Sequence, residues 1–327
     1  MLILNALIKN KICGEIFIKI KKVLTWQDSG DRFSGTRSVI LDLPEKIIFC
    51  GRTINAVKIK GAGFIDEENN FFPPILKSYQ KFTASGQISV KFSKTGDLTI
   101  SPVKNHPIGG LFFDIAKREY YNTLKLLKKH LPVNVPIGYG CFDNLIFQNQ
   151  KLGFALFGIE DKFDERVRQK IENDIEKIRL QNLKTKVKYV CLLIKKCGKL
   201  LRNFHNCGYV NTLFQLTNIS INKNYCAIHD LDRAIPVYKL NKTELLCYRM
   251  LDYHTLALST AKIAYSDRFI NYRNEIMNSI AAGYFDDCRS IKELVAVDHL
   301  LFKSLLKKSA NIYDLQSPVS KLLNSKK

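Results

Sequence analysis

Lys58 and Lys60 stand two residues apart in "AVKIKGAG". In an extended strand that spacing turns both ammonium groups to one face, where they can meet an anionic ligand. Glu119 is placed against expectation for its type. It falls on a helical face with Phe112, Ile115/Ala116 and Thr123, where a carboxylate is costly without a partner. A Lys–Glu pair between strand and helix resolves that cost; a helix edge with Glu119 in water is the alternative reading. Asn218 and Asp230 are twelve residues apart, at the ends of a short strand–turn–strand stretch, "NISINKNYCAIHD". Two hard oxygen donors brought together by a hairpin suit magnesium, which takes few protein ligands and keeps water. Asp232 adds a second carboxylate, with Arg233 beside it to pair with one of the two. Arg37 ends "SGDRFSGTR" and Arg52 lies in "CGRT". Both are cations beside Gly-containing turns that can neutralise phosphate, although plain turns are the simpler reading of those stretches.

These residues need elements to hold them. The first hundred residues read as strands and turns: "SVILDL", "KIIFCGRTINAVKIKGAG", and a hairpin in "ISVKFSKTGDLTI" closing at Lys94-Thr95-Gly96. Residues 64 to 84 read as a loop or short insertion. From Leu111 to His130 the period becomes helical, ending before the two prolines of "LPVNVP". Short strands follow in "VPIGYG" and "GFALFGI", then a charged helix within Asp161 to Leu180. "KYVCLLIKKCGKLLRNFHN" is a more buried helix, with Val190, Leu193/Ile194, Cys197, Leu200/Leu201 and Phe204 aligned. "NISI" and "YCAIHDL" read as strands joined at Asn222-Lys223-Asn224. Helices are expected from Thr243 to about Lys308, with a capping box at Ser290 and Glu293.

The order is a strand-rich lobe with one main helix (1–150), then a mostly helical lobe carrying the metal-binding hairpin (151–327). The fold class is therefore α+β, in the outline of a bilobal protein-kinase-like fold. Nucleotide transfer on that fold uses a strand lysine, a helix glutamate, an asparagine and an aspartate. Within it, "KIKGAG", "REY", and "TNISI" before "IHDLD" resemble the selenoprotein O branch, whose members carry Lys-Gly-Ala-Gly, a helical Arg-Glu, an Asn-Thr-Asp-Asn-Met-Ser-Ile segment and Asp-Tyr-Gly. The similarity spans roughly residues 30 to 235 as short motifs. It implies a protein adenylyltransferase that binds ATP flipped relative to an ordinary kinase and passes AMP to protein hydroxyls. On this resemblance Lys60 contacts phosphate, Glu119 is its partner, and Asn218 and Asp230 hold Mg2+.

Two departures matter. An ordinary kinase base stands five residues before the asparagine, and that position is Leu213; the selenoprotein O branch has an aspartate directly before it, and here that is Thr217. Neither accepts a proton at neutral pH. His205 and Asp232 are the remaining proton acceptors nearby. Two further readings therefore stand beside the transferase: a pseudokinase that binds ATP as a scaffold, and a basic nucleic-acid-binding protein on the same fold. Only "RAIPVYKLN" separates Asp232 from the terminal helices, leaving little room for an ordinary activation segment.

Composition sets the setting. Lys and Arg outnumber Asp and Glu by 51 to 30, a formal +21, which favours an acidic partner or a phosphorylated ligand and is also met by solvated surface lysines. A protein substrate or acidic partner protein is expected first, nucleic acid second. The nine cysteines are scattered, with no CxxC pair, as in a reducing compartment. Cys207, close to His205 and Gly208, reads as the end of a helix and not as a nucleophile. Six histidines in no ligand spacing make a zinc site an unlikely design. No apolar run approaches the ~18 residues of a spanning helix, and the apolar start lacks the basic flank and small-residue cleavage site of a signal peptide. A cytoplasmic location is expected.

Overall fold

The computed structural model describes residues 2–4, 14–28, 30–33, 37–49, 51–65, 70–77, 88–95, 98–102, 106–147, 149–160, 166–177, 182–221 and 226–285. The chain is α+β, with an antiparallel, sheet-rich N-terminal part and a helical C-terminal part. It divides into two compact units. The first comprises Met1–Ser89, Ser101–Asp164 and the three residues Asp230–Asp232; the second comprises Val90–Ile100, Glu165–His229 and Arg233–Lys327.

The first unit is built on a seven-stranded antiparallel sheet. Its strands are β1 (Leu2–Leu4), β2 (Arg32–Phe33), β3 (Ser38–Phe49), β4 (Arg52–Lys60), β5 (Leu111–Phe112), β6 (Val135–Phe147) and β7 (Gln150–Ile159). The order is β1-β6-β7-β4-β3-β2, with β5 also paired to β7. Side chains alternate across the sheet, so each strand feeds two cores. Phe154 and Leu156 of β7, with Val57 and Ile59 of β4, join one cluster. Ala155 and Phe157 of the same β7 join another, on the opposite face.

Helix α1 (Gly14–Leu24) covers the first face with Ile16, Ile20 and Val23. It was not expected from the sequence, where the first hundred residues read as strands and turns. The 4- and 3-residue spacing of those three side chains is the helical signal. Helix α2 (Phe113–Lys128) packs over β6 and β7 on the other face, through Ala116. The register sets Lys60 opposite Ala155 and Lys58 opposite Phe157. Both lysines therefore share the face that α2 covers, which decides what Lys60 can reach.

The remaining expectations for the first 160 residues hold in outline, although Val90–Ile100 of the expected hairpin belong to the second unit. Strands β6 and β7 form one long hairpin in place of two short strands. Ile88–Phe92 and Leu98–Pro102 pair as the expected hairpin, whose Gly96 lies outside the described residues. The stretch from residue 64 contains short paired strands, Phe64–Ile65 with Phe71–Phe72 and Ile75–Lys77 with His106–Ile108.

In the second unit, α3 (Val167–Lys177) and the buried α4 (Leu183–Asn206) are followed by β8 (Ile219–Ile221), β9 (Cys226–Ile228), α5 (Lys242–Ala264) and α6 (Arg273–Tyr284). Strands β8 and β9 form the expected antiparallel hairpin, Ile219 opposite Ile228; the Asn222-Lys223-Asn224 turn lies outside the described residues. A capping box at Asn241 and Glu244 starts α5. The one expected at Ser290 and Glu293, and any helix beyond residue 285, lie outside the described residues. Helices α4 and α6 meet at glycines: a Cβ on Gly283 would fall 2.0 Å from the carbonyl oxygen of Lys195.

Candidate active site

Lys60 is the last residue of β4, and the "KGAG" stretch after it is pinned on three sides. Gly61 N–H donates to the Arg37 carbonyl at 2.7 Å and Gly63 N–H to the Gly109 carbonyl at 3.0 Å. The Trp26 indole N–H donates to the Ala62 carbonyl at 2.8 Å. Gly109 has φ of 73°, and a Cβ there would lie 2.5 Å from the Gly63 carbonyl carbon. Only glycine fits so close a crossing of two backbones.

So fixed, the Lys60 ammonium donates to both oxygens of Glu119 at 2.8 Å and to Asp230 Oδ1 at 2.6 Å. Lys60 and Glu119 are each 3% exposed, whereas the Asp230 side chain keeps 34% of its surface. The pair is buried, and the third member still faces solvent. Burial by itself would lower the Lys60 pKa; Asp230 and then Glu119 outweigh it and raise it. Glu119 is raised by burial, against the pull of Lys60, with Asp232 and Asp230 pushing the same way as burial. Lys60 thus faces Glu119, Asp230 and Asp232, with Arg37 a second cation acting on it.

Asp230 has φ of 55°, in the left-handed region that aspartate tolerates better than most residues. The turn swings its carboxylate toward Lys60 while the next two carbonyls turn to α2. Asn122 Nδ2 donates to the Leu231 carbonyl at 3.0 Å and Arg118 Nε to the Asp232 carbonyl at 2.6 Å. Asp232 is half-buried, and no described hydrogen bond engages its carboxylate. Of the remaining sequence candidates, Arg37 lies close enough to Lys60 to oppose its charge. Lys58 is buried one pleat earlier on the same strand. Arg52 is at the other end of β4, eight residues away, or about 26 Å along a strand. There it is ion-paired with Glu160 and donates to the Val133 carbonyl. Phe49 of β3 pairs with Arg52 of β4, so Arg52 is not brought together with Lys60.

Asn218 belongs to the second unit. It closes a 3-10 turn (Leu216–Asn218) directly before β8, and its Nδ2 donates to the Leu213 carbonyl at 3.1 Å. That bond orients the amide. The preceding loop is held by a row of acceptors on α5. Asn211 N–H donates to Asp252 Oδ2 at 2.6 Å, Phe214 N–H to Thr255 Oγ1 at 3.1 Å, and Leu216 N–H to Ser259 Oγ at 3.1 Å. Residues 252, 255 and 259 lie on one helical face; polar groups at that spacing in a largely apolar helix were the available signal, which sequence reading passed over. Arg118 entered the sequence reading only as the arginine of "REY", with no role of its own, and Asn122 was missed, being a polar residue on a helix like many others.

The base positions hold Leu213, half-buried, and Thr217, exposed. His205 does not fill the gap. It is 3% exposed, bonded to Asp252 at 3.1 Å and to the Tyr284 hydroxyl at 2.6 Å, and burial lowers its pKa to about 3. It is a neutral structural link between α4, α5 and α6. Cys207 is the C-cap of α4. Among the described residues no group of three or more His, Cys, Asp or Glu is arranged to hold a metal, and no helix is long and apolar enough to cross a membrane.

No family model matches this chain, and no curated protein matches it. Solved structures that resemble it do so distantly. WaaP in complex with acyl carrier protein is 13% identical, covering 96% of this chain and 99% of that one, with a TM-score of 0.46. The Toxoplasma gondii rhoptry antigen kinase domain is 10% identical, covering 88% and 97%, with a TM-score of 0.39. The BubR1 kinase domain is 12% identical, covering 95% and 96%, with a TM-score of 0.36. Likenesses this distant assign no activity.

Proposed function

We propose that the protein is an ATP- and magnesium-dependent kinase-like transferase that moves AMP, or failing that phosphate, from ATP to protein hydroxyls. The observation that carries the reading is the Lys60–Glu119–Asp230 cluster, two members buried and the third facing solvent. An ion pair replaced by apolar residues is often no less stable, so a buried lysine aimed at an accessible carboxylate is better explained by a ligand than by stability.

The donor set fits magnesium. Asp230 and Asp232 of the first unit offer only oxygen and are few, which suits magnesium; Asn218 is added as a donor on the motif resemblance alone. Magnesium would supply charge neutralisation on the phosphates. The chain's own residues do the rest. Lys60 contacts phosphate oxygens, Glu119 keeps Lys60 extended toward them, and Arg37 adds a second cation at the same end of β4. In adenylylation the acceptor oxygen bonds to the α-phosphorus and the bond to the β-phosphate oxygen breaks, releasing pyrophosphate. In phosphorylation the attack is at the γ-phosphorus and ADP leaves. With leucine and threonine at the base positions, the hydroxyl proton passes to solvent or to a phosphate oxygen. Positioning and electrostatics supply most of the rate in such transfers.

AMP is preferred because "KGAG", "REY" and "TNISI" resemble the adenylylating branch. The segment after Asp232 is also short and tied down: Ile235 pairs with Val210, and Val237 N–H donates to the Gly208 carbonyl. A second reading, the pseudokinase, is favoured by Leu213 and Thr217 alone. Parallel incubations with ATP labelled at the α- or the γ-phosphate separate them, using the protein itself and cell lysate as acceptors. Label kept from the α-position and lost in Asp230→Asn supports adenylylation. Label kept only from the γ-position makes the protein a kinase. Transfer of neither, with ATP bound, makes it a pseudokinase.

A further inference from the structure

We infer that Arg118 and Asn122 are positioning residues that fasten the 230–232 segment to α2, so that Asp230 is presented to Lys60 before any ligand arrives. The inference rests on the reading above for the role of Asp230; the fastening itself rests on geometry. Three consecutive residues are each held by a different side chain of the first unit. Lys60 takes the Asp230 carboxylate, Asn122 the Leu231 carbonyl and Arg118 the Asp232 carbonyl.

The backbone here needs holding. A non-glycine residue in the left-handed region is strained and persists where its surroundings over-determine it. Arg118 and Asn122 are four residues apart, one turn of α2, so their donors lie one above the other. Consecutive carbonyls in a turned backbone can then be met by one rigid helix. Asn122 is 6% exposed, and a buried amide is retained where it makes its hydrogen bonds. Glu119 lies on the same helix between them. The helix that fixes Lys60 through Glu119 therefore also fixes Asp230 through its neighbours, and neither half of the cluster can shift without α2. A site built this way is assembled at rest.

The test uses full-length Arg118→Ala, Asn122→Ala, the double variant and Arg118→Lys. Hydrogen exchange of the 230–234 amides is followed without ligand, with α4 amides as internal reference. Magnesium is then titrated at fixed ATP. The double variant is expected to exchange at least ~10-fold faster in 230–234 with α4 unchanged, and each single variant to a lesser degree. The magnesium concentration for half-maximal ATP binding should rise ~5-fold or more, while ATP binding without metal stays the same. Arg118→Lys, still a donor to a carbonyl, should recover part of the effect. Unchanged exchange at 230–234 in the double variant overturns the inference. Because Arg118 is exposed, its single variant decides the matter if Asn122→Ala fails to fold: unchanged local exchange in Arg118→Ala counts against fastening, and faster exchange counts for it. Faster exchange in a protein whose wild type ignores ATP and magnesium supports the fastening and refutes the functional reading, so the two fail separately.

Discussion

Replacing Lys60 by Met should leave Glu119 buried with no counter-charge. Removing one partner of a buried pair costs about 3–5 kcal/mol, a large share of the ~5–15 kcal/mol that holds a folded chain together. The cost should depend on pH with a definite sign. In the variant, burial, Asp232 and Asp230 all push Glu119 upward and Lys60 no longer opposes them. A carboxyl raised in the folded state loses stability as pH climbs from its unfolded value, 4.5, through its folded value. Lys60→Met should therefore be most damaging at about pH 8 and much milder at about pH 5. The assay is built in. Trp26 is the only tryptophan, it donates to the carbonyl two residues after Lys60, and it stacks on Phe142. Its fluorescence during denaturant unfolding reports on the first unit. Pairing Lys60→Met with Glu119→Leu should restore most of the loss, since the only carboxylate then left without Lys60's ammonium at hydrogen-bond distance, Asp230, faces solvent. A pH-independent loss below about 1 kcal/mol, or a double variant as unstable as the single, would refute a buried pair.

Three further outcomes are expected. Asp230→Gly and Asp230→Ala both lose the Lys60 contact, but φ of 55° strains only alanine, so the glycine variant should be the more stable by about 1 kcal/mol in chemical denaturation; equal stability would remove the strain. Burial lowers His254 to about 4, and its Nε2 has no hydrogen-bond partner. A histidine lowered from its ordinary 6.5 gives stability that is present above that value and lost as pH falls toward 4. His254→Leu should thus gain about 2 kcal/mol on the wild type at about pH 5 and far less at about pH 7.5, measured by parallel melts. Gly109→Ala should destabilise by more than about 1 kcal/mol, because its Cβ meets the backbone of Gly63 and Phe64; an unchanged melt would show that this crossing can relax.

Glu119 was legible because a carboxylate on an apolar stripe is conspicuous, and Lys60 because "KGAG" singled it out from Lys58. The β8–β9 hairpin was legible from alternation alone. Helix α1 was not, since its eleven residues are β-branched and aromatic enough to pass for a strand until Ile16, Ile20 and Val23 are counted at helical spacing. The contacts of Arg118 and Asn122 were out of reach for another reason. Their partners are backbone carbonyls more than a hundred residues away, and a carbonyl leaves no mark in sequence. Asp252, Thr255 and Ser259 also bond to backbone amides, but their spacing on one helical face was a signal that could have been read. Arg52 looked like a phosphate ligand because a glycine beside an arginine resembles an anion site; the structure instead pairs Arg52 with Glu160.

The most direct test of the nucleotide site is the melting temperature of the whole protein with ATP, with magnesium, with both and with neither. Binding to the folded state alone stabilises by mass action, about 2.7 kcal/mol at a hundred times the dissociation constant. A rise is expected that needs both ligands for its full size, that loses its magnesium-dependent part in Asp230→Asn, and that Lys60→Ala weakens more than Lys58→Ala. A melt indifferent to millimolar ATP and magnesium would contradict the account, for the transferase and the pseudokinase alike.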